Sequence, residues 1–325
     1  MTTLVTGGTG FVGSNLVKVL AEQGHEIICF DYVAPDNLVK RFLKPWEQQI
    51  TFIQGDILNR ESIEQLVGYK ITRIVHAAVF TGILPEVEQS QSSLIVETNI
   101  IGTRNILDLA TLIVPERFLY VSSGAVYGEG RDSSEVLKED SVLSPRSLYE
   151  STKYASELMT RRYGELHGFE TVSVRLSSPY GPMERVSGHR ANQSILKDLT
   201  AKIIRSEPLE VGDRNYGRDY TYITDIALGI LAILEAPSIN FDVYNNSSGI
   251  WITLGDIIDS LQTLVPSVEL ITTASKETST SIVTGTRGPL DVTKLRNDIG
   301  YTPKYDLLSG LREYLEWRHN FSYYD

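Results

Sequence analysis

Six short apolar runs, with four stretches of helical spacing between them, fill the first half of the chain and leave it few ways to fold. The runs 3–6, 26–30, 49–53, 73–77, 117–121 and 171–176 are rich in Val, Ile, Phe and Tyr and are bounded by Gly, Asp or Ser. Runs of that length and content read as strands buried on both faces. Between them, 12–23, 60–68, 91–113 and 149–167 show helical spacing. Strands alternating with helices close as a parallel sheet with crossover helices on both faces, so the expected class is α/β with a doubly wound sheet.

The second half is less regular. Helices are expected near 192–205, 224–235, 253–264 and 306–318, and extended segments at 220–223 and 241–245. Pro182, Pro208, Pro237 and Gly212 divide this region into short pieces, and 272–286 is rich in Ser and Thr without helical spacing, as in a loop or edge strand. No internal repeat is present. The expected organisation is a nucleotide-binding domain over 1–175, with a returning segment near 220–245, and a smaller C-terminal α/β substrate lobe over 176–325.

Charge and cysteine content narrow the function. With 41 acidic against 30 basic residues the net charge is -11, which argues against nucleic-acid binding that depends on neutralising phosphates. No run approaches the length of a membrane-spanning helix, and the chain opens directly into Leu4-Val5-Thr6-Gly7 with no room for a charged and apolar leader. A cytoplasmic location with no membrane partner is the expectation. The single cysteine, Cys29, lies in an apolar run and reads as a small core residue.

Thr6-Gly7-Gly8-Thr9-Gly10-Phe11-Val12-Gly13 follows the first strand and opens a helix. A glycine fingerprint alone is weak evidence, but in this context the glycines close a tight turn and let the backbone approach a pyrophosphate at a helix N-terminus. The second strand ends at Asp31, 18 residues after Gly13. A carboxylate there accepts from ribose hydroxyls and repels a 2′-phosphate, and Tyr32 and Val33 supply no arginine, so NAD is favoured over NADP. The sheet is thus expected to be of Rossmann type. A glycine-rich turn with an incidental surface aspartate is the competing reading.

Tyr149-Glu150-Ser151-Thr152-Lys153 puts a phenol and an ammonium four apart on one helical face. A phenol is a poor base at neutral pH, and a neighbouring ammonium favours its phenolate. Such a pair arises by chance on many solvated helices. Here it follows a strand ending in Ser122-Ser123, whose second hydroxyl can hydrogen-bond the substrate oxygen that Tyr149 protonates or deprotonates.

Together with Gly55-Asp56-Ile57, His76-Ala77-Ala78, Asn99–Thr103, Ser122–Gly128, Arg175 through Gly181-Pro182, Arg218-Asp219-Tyr220 with Asp225, and Asp291 through Pro303, these motifs resemble the NAD-dependent epimerase/dehydratase family of extended short-chain dehydrogenases. The resemblance spans nearly the whole chain. It implies Ser123, Tyr149 and Lys153 as the catalytic set. Gly7, Thr9, Gly10, Phe11, Val12, Gly13, Asp31, Tyr32, Asp56, Ile57, Ala77, Ala78, Val79 and Asn99, with Tyr149 and Lys153, would hold NAD. Asp56 and Ile57 would contact adenine, Ala77 and Ala78 would line the diphosphate and nicotinamide ribose, and Asn99 would buttress the site. His76 reads as a packing histidine rather than a catalytic one. No His/Cys/Asp cluster has metal-ligand spacing, so no catalytic metal is expected.

The resemblance also implies one opening step, in which Tyr149 takes a hydroxyl proton while hydride passes to NAD. Gly124-Ala125 stands where the family's 4,6-dehydratases carry Asp-Glu and its decarboxylases Glu, and Cys29 is far from where its 3,5-epimerases place a cysteine. Two readings survive: a 4-epimerase, resembling the nucleotide-sugar enzymes, and a dehydrogenase or ketoreductase of a sugar, sugar acid or related hydroxy compound. A non-catalytic NAD-sensing scaffold is a lesser alternative, disfavoured by the intact Tyr/Lys pair. Thr81, Ser123, Ser178, Arg185, Arg190 and Arg218 form the expected substrate set. Arg218 matches a position that grips a diphosphate in the family, a task suited to arginine's fork. Arg185 and Arg190 could meet a carboxylate or phosphate, although surface salt bridges explain them equally well. Ser178 stands where sugar-nucleotide epimerases usually have Asn, and no Arg-x-Gly-Asp precedes Asp291. Whether the ligand carries a nucleotide diphosphate is left open. Family members often dimerise through a four-helix bundle, for which 91–113 and 149–167 are the candidates, so a homodimer is expected.

Overall fold

The computed structural model describes residues 1–129, 134–187, 193–272 and 287–325. Seven parallel strands make the central sheet: β1 (Thr2–Thr6), β2 (Glu26–Asp31), β3 (Ile50–Gln54), β4 (Arg73–His76), β5 (Arg117–Ser123), β6 (Glu170–Leu176) and β7 (Val243–Asn246). Their order across the sheet is β7-β6-β5-β4-β1-β2-β3. The winding therefore reverses between β1 and β4, and the carboxyl ends of those strands part to leave a crevice, the place where such sheets bind ligands.

The two faces of the sheet explain why the strands read as unbroken apolar runs. Leu4, Ile28, Phe30, Ile74, Phe118 and Tyr120 point to one side and pack with Ile106, Leu107 and Ala110 of helix α2 (Thr103–Ile113). Val5, Ile27, Cys29, Val75, Leu119 and Val121 point to the other, against Leu16, Val17 and Leu20 of α1 (Phe11–Glu22) and Ile226, Ile230 and Ile233 of α4 (Ile223–Glu235). A sheet covered by helices on both faces has no polar side to alternate with. Cys29 is a core residue, its thiol pushed far up by burial and further by the Asp31 charge.

Two expected helices are broken. The 91–113 segment forms a short helix Ser92–Val96, a π-helical turn Glu97–Gly102, and then α2. The extra residue in the π turn brings Asn99 inward, and Gly102 passes so close to Ile57 that a Cβ would lie 2.3 Å from its Cδ1. The 60–68 segment is a helix Arg60–Glu64, capped by Asn59 through the Ser62 amide, running into a 3-10 turn Gln65–Gly68. Two short helices were not foreseen. Asp36 caps Asn37–Leu43 through the Val39 amide, and Pro85 sits in the first turn of Pro85–Ser90, both ordinary start signals.

Beyond β6 the chain forms helices Ile195–Ile204, Leu254–Leu264 and Leu307–Phe321 and three two-stranded pairs. Ser178–Tyr180 pairs with Tyr220–Tyr222, Gly217–Arg218 with Ile252–Thr253, and Leu209–Val211 with Leu270–Thr272. Of the stretch expected as loop or edge strand, Thr272 closes a strand and 273–286 lie outside the described residues. Asp225 of α4 ties this region together: its carboxylate accepts from the Lys304 and Tyr305 amides (2.8 Å each) and from the Tyr301 hydroxyl (2.9 Å). Asp225→Ala leaves those donors without their acceptor, and chemical denaturation is expected to show a loss of about 2–4 kcal/mol. A loss below about 0.5 kcal/mol, the scale of an ordinary surface substitution, would contradict this account.

Candidate active site

The crevice between β1 and β4 begins with backbone that only glycine permits. Gly7 adopts φ +68°, and a Cβ there would lie 2.8 Å from the backbone of Ala78. A Cβ on Gly13 would lie 2.0 Å from the Gly7 carbonyl oxygen. The turn is thus pressed against both β4's exit and its own helix. α1 starts after Gly10 with no side-chain cap, and its first residues Phe11, Val12 and Gly13 line a cleft of about 350 Å³. Uncapped amides and the positive end of the dipole suit a diphosphate.

Asp31 stands beside this turn, one carboxylate oxygen accepting from the Thr9 amide and the other from the Val33 amide, both at 2.9 Å. Each oxygen keeps a lone pair for a ribose hydroxyl. Thr9, Tyr32, Asp56, Ile57, Ala77, Ala78, Val79 and Thr81 share the cleft's lining. These features fit the adenosine and diphosphate of NAD.

Asn99 stands behind that lining, only 1% exposed. Its carboxamide bridges both backbone groups of Phe80, accepting from the amide at 2.8 Å and donating to the carbonyl at 3.1 Å, and it donates to Thr152 Oγ1 at 3.0 Å. Among the NAD residues expected from the sequence, it positions others rather than facing the cleft. Its backbone carbonyl ends a directed chain of hydrogen bonds. Thr103 Oγ1 donates to that carbonyl (2.6 Å), so it accepts from His76 Nε2 (3.0 Å), which leaves His76 Nδ1 to accept from Thr6 Oγ1 (2.7 Å). Thr6 Oγ1 in turn accepts from the Ala78 amide at 3.3 Å. Burial, with the Lys153 charge adding, holds His76 down at about 3. It is a neutral packing histidine, as its position in a buried strand suggested.

The residues expected to form the catalytic set come from β5 and helix α3 (Leu148–His167). A reciprocal capping box between Ser147 and Glu150 starts α3, which puts Tyr149 in its first turn and Lys153 one turn on. Lys153 Nζ donates to the Val121 carbonyl at 2.7 Å and lies 4.8 Å from the centre of the Tyr120 ring. The helix is thereby tied to the strand that ends in Ser123. Ser123 Oγ accepts from the Ala125 amide at 3.1 Å, turning the chain into a 3-10 turn Gly124–Tyr127. Tyr149 is 9% exposed and Lys153 2%. Burial lowers Lys153 to about 7, with Glu157 opposing the shift.

Beneath this set, Glu157 and Arg175 form a two-pronged ion pair (2.9 and 2.8 Å) with both side chains 4% exposed. Ser122 donates to Glu157 at 2.5 Å, and Arg175 also reaches the Tyr127 hydroxyl (3.0 Å) and the Glu139 carbonyl (3.0 Å). The Tyr127 hydroxyl donates to Asn245 Oδ1 at 2.8 Å. One network therefore joins α3, β5, β6 and β7.

The expected substrate residues do not gather at one place. Thr81 lies in the cofactor cleft. Arg185 lies there too, paired with Asp36 and donating to the Thr9 carbonyl at 3.3 Å, so it spans the glycine turn. Ser178, half-buried, opens its short strand, its amide donating to the Asp219 carbonyl at 3.1 Å. Arg190 lies outside the described residues. Arg218 donates to both oxygens of Glu129 (3.1 and 3.3 Å) and to the Tyr216 hydroxyl (2.7 Å). Arg287 also reaches Glu129, at 3.3 Å. Neither Arg287 nor Glu129 stands in an expected motif: Arg287-Gly288-Pro289 lacks the Arg-x-Gly-Asp pattern, and Glu129 matches none. Among the described residues no group of three or more His, Cys, Asp or Glu could hold a metal ion, and no helix is long and apolar enough to cross a membrane.

The model of the "NAD dependent epimerase/dehydratase family" matches residues 3–245. A putative UDP-glucose 4-epimerase of Methanocaldococcus jannaschii is 27% identical, over 98% of this chain and 98% of its own. A UDP-glucuronate 4-epimerase of Thermodesulfobacterium geofontis is 27% identical over 97% and 95%. The crystal structure of the UDP-glucuronic acid 4-epimerase of Bacillus cereus with UDP-glucuronic acid and NAD superimposes with a TM-score of 0.81 at 26% identity, covering 98% of this chain and 99% of that one.

The burial of Lys153 has a direct readout. Selectively labelled lysine is expected to show one side chain titrating near 7 in the cofactor-free protein. Because the unfolded chain binds that proton up to about pH 10.4, the residue's contribution makes stability rise with pH between those values. A Lys153 midpoint above about 9 would contradict the burial that docks α3 on β5.

Proposed function

The chain belongs to the NAD-dependent epimerase/dehydratase family, and from that membership we propose that it inverts C4 of a nucleotide sugar. It is an NAD-dependent enzyme of the extended short-chain dehydrogenase type. The observation that carries the reaction class is the end of β5. There Ser123 supplies a hydroxyl, the helix carrying Tyr149 is tied to the same strand through Lys153, and Gly124 and Ala125 supply no carboxylate.

NAD, held at the glycine turn and by Asp31, would supply the hydride acceptor and donor. Tyr149, as phenolate, takes the proton of the hydroxyl, and Ser123 donates a hydrogen bond to the same oxygen. Lys153 stabilises the phenolate by its charge and is set in place by the Val121 carbonyl. At 124 and 125 there is no acid or base to eliminate water from the resulting ketone or deprotonate its neighbours, which leaves re-reduction from the opposite face or release of the ketone, and we take the first. Relatives named a putative UDP-glucose 4-epimerase and a UDP-glucuronate 4-epimerase, matched over nearly their full length, support this choice of substrate class.

We place the reaction in the cytoplasm and take the working form to be a homodimer. Ile101 and Leu112 on one helical segment and Leu158 and Leu166 on α3 are exposed apolar side chains that a contact between subunits would cover. Sedimentation is expected to give a dimer at micromolar concentration, and a concentration-independent monomer would remove this part of the proposal.

Purified protein, denatured, is expected to release near-stoichiometric NAD or NADH, because a cofactor that is regenerated in place has no need to leave. Tyr149→Phe is expected to retain that nucleotide while losing about 10²–10⁴-fold in the rate of interconversion of UDP-glucose or UDP-glucuronate with its C4 epimer. Full activity in that variant would overturn the mechanism. An empty protein that exchanges NAD freely and accumulates NADH would point to a net dehydrogenase instead.

A further inference from the structure

In the proposed mechanism Lys153 has to stay charged to hold the Tyr149 phenolate, yet it is buried, and burial works against its ammonium. The ionisable groups around it give little help. Glu157, one turn on along α3, acts on it by charge but is itself engaged by both prongs of Arg175 of β6 and by Ser122. His76 of β4 is held neutral, and Tyr149 shares the same helix. What Lys153 Nζ meets directly is the Val121 carbonyl at 2.7 Å and the ring of Tyr120, whose centre it overlies at 4.8 Å. That ring is fixed on every side. Tyr120 lies buried in β5 with the His76 ring 5.8 Å away, and its hydroxyl bonds Ser156, which donates in turn to the Asn99 carbonyl at 2.9 Å. Burial pushes the Tyr120 phenol far above its ordinary value, so it meets Lys153 as an aromatic face and not as an anion.

We propose that Tyr120 is a positioning residue whose ring face keeps the Lys153 ammonium charged in the closed site and so supports the phenolate of Tyr149. The inference rests on the proposed roles of Tyr149 and Lys153. A ring face attracts a cation through its quadrupole, and the attraction strengthens where water is excluded. It also takes no proton and forms no ion pair. A carboxylate in the same place would compete with the Tyr149 phenolate for the one charge that stabilises it. With the Val121 carbonyl taking one of the three ammonium donors and the ring covering a second side, the remaining side is left for Tyr149 and bound ligand. The link from Tyr120 through Ser156 to Asn99 ties this platform to the network behind the cofactor cleft.

The test compares Tyr120→Phe with Tyr120→3,4,5-trifluorophenylalanine, a ring of nearly the same shape whose face is drained of negative charge. Packing alone predicts no difference between the two. Selectively labelled lysine reports the Lys153 midpoint in the NAD-loaded protein. Tyr120→Phe is expected to stay within about 0.3 pH unit of the wild type, and the fluorinated ring to lower the midpoint by about one unit, a tenfold loss in proton affinity. Because the charged form of Lys153 supports the phenolate, the alkaline limb of kcat/KM for C4 inversion of UDP-glucose or UDP-glucuronate is expected to move down by the same amount. Equal midpoints with the two rings would overturn the inference. A lowered midpoint with an unmoved alkaline limb would overturn the support given to Tyr149. A lowered midpoint with no turnover of either sugar by any form, the wild type included, would uphold the hold of Tyr120 on Lys153 and remove the nucleotide-sugar reading.

Discussion

The pair of Arg175 and Glu157 is the interaction on which the end of the molecule that carries Ser123, Tyr149 and Lys153 rests. Taking two full charges out of water is expensive, and such a pair is retained only where its geometry and remaining hydrogen bonds offset the desolvation. Here both prongs of the guanidinium are used, Ser122 supplies a further donor to the carboxylate, and Tyr127 and the Glu139 carbonyl satisfy the rest of the arginine. The consequence is positional. Glu157 lies one turn beyond Lys153 on α3, and Ser122 is next to Ser123 on β5, so the pair fixes the helix that carries Tyr149 against the strand that carries Ser123. The same carboxylate, acting through its charge on Lys153, partly offsets the burial that lowers that lysine.

A second network does for the cofactor side what this one does for the catalytic side. The chain from the Ala78 amide through Thr6, His76 and Thr103 to the Asn99 carbonyl joins the ends of β1 and β4 to the π turn. A neutral histidine is what such a chain requires, since one ring nitrogen accepts and the other donates. The π turn itself has a use: it brings Asn99 to the Phe80 backbone and to Thr152 of α3. The glycine turn and the catalytic helix are therefore linked through buried polar groups that all find partners, and such fully satisfied networks make for rigidity.

Much of this was legible in the residues. The apolar runs predicted the strands because a parallel sheet buried on both faces leaves no alternation to confuse the signal, and the turn from Thr6 to Gly13 predicted where the crevice would open. Tyr149, Lys153 and Ser123 carry a spacing that survives folding, since one helix and one strand end are enough to place them. The substrate side was less legible. For Arg185 a substrate contact and a salt bridge were equally open, and its ion-pair partner Asp36 lies too far away in sequence, at the start of a short helix, to be read from the motif. Glu129 and Arg287 are brought together across nearly half of the chain, and neither residue carries a local mark of the other. The π turn was hidden for a different reason: one extra residue hardly disturbs helical spacing over 91–113.

The central claim is that hydride leaves and returns to the same carbon while the cofactor stays bound. A nucleotide sugar carrying deuterium at C4, incubated with the enzyme without added NAD, tests it directly. The account predicts an inverted product that retains the deuterium at C4, with none appearing in water. Loss of the label to solvent, or a requirement for added NAD with label found in free NADH, would contradict it.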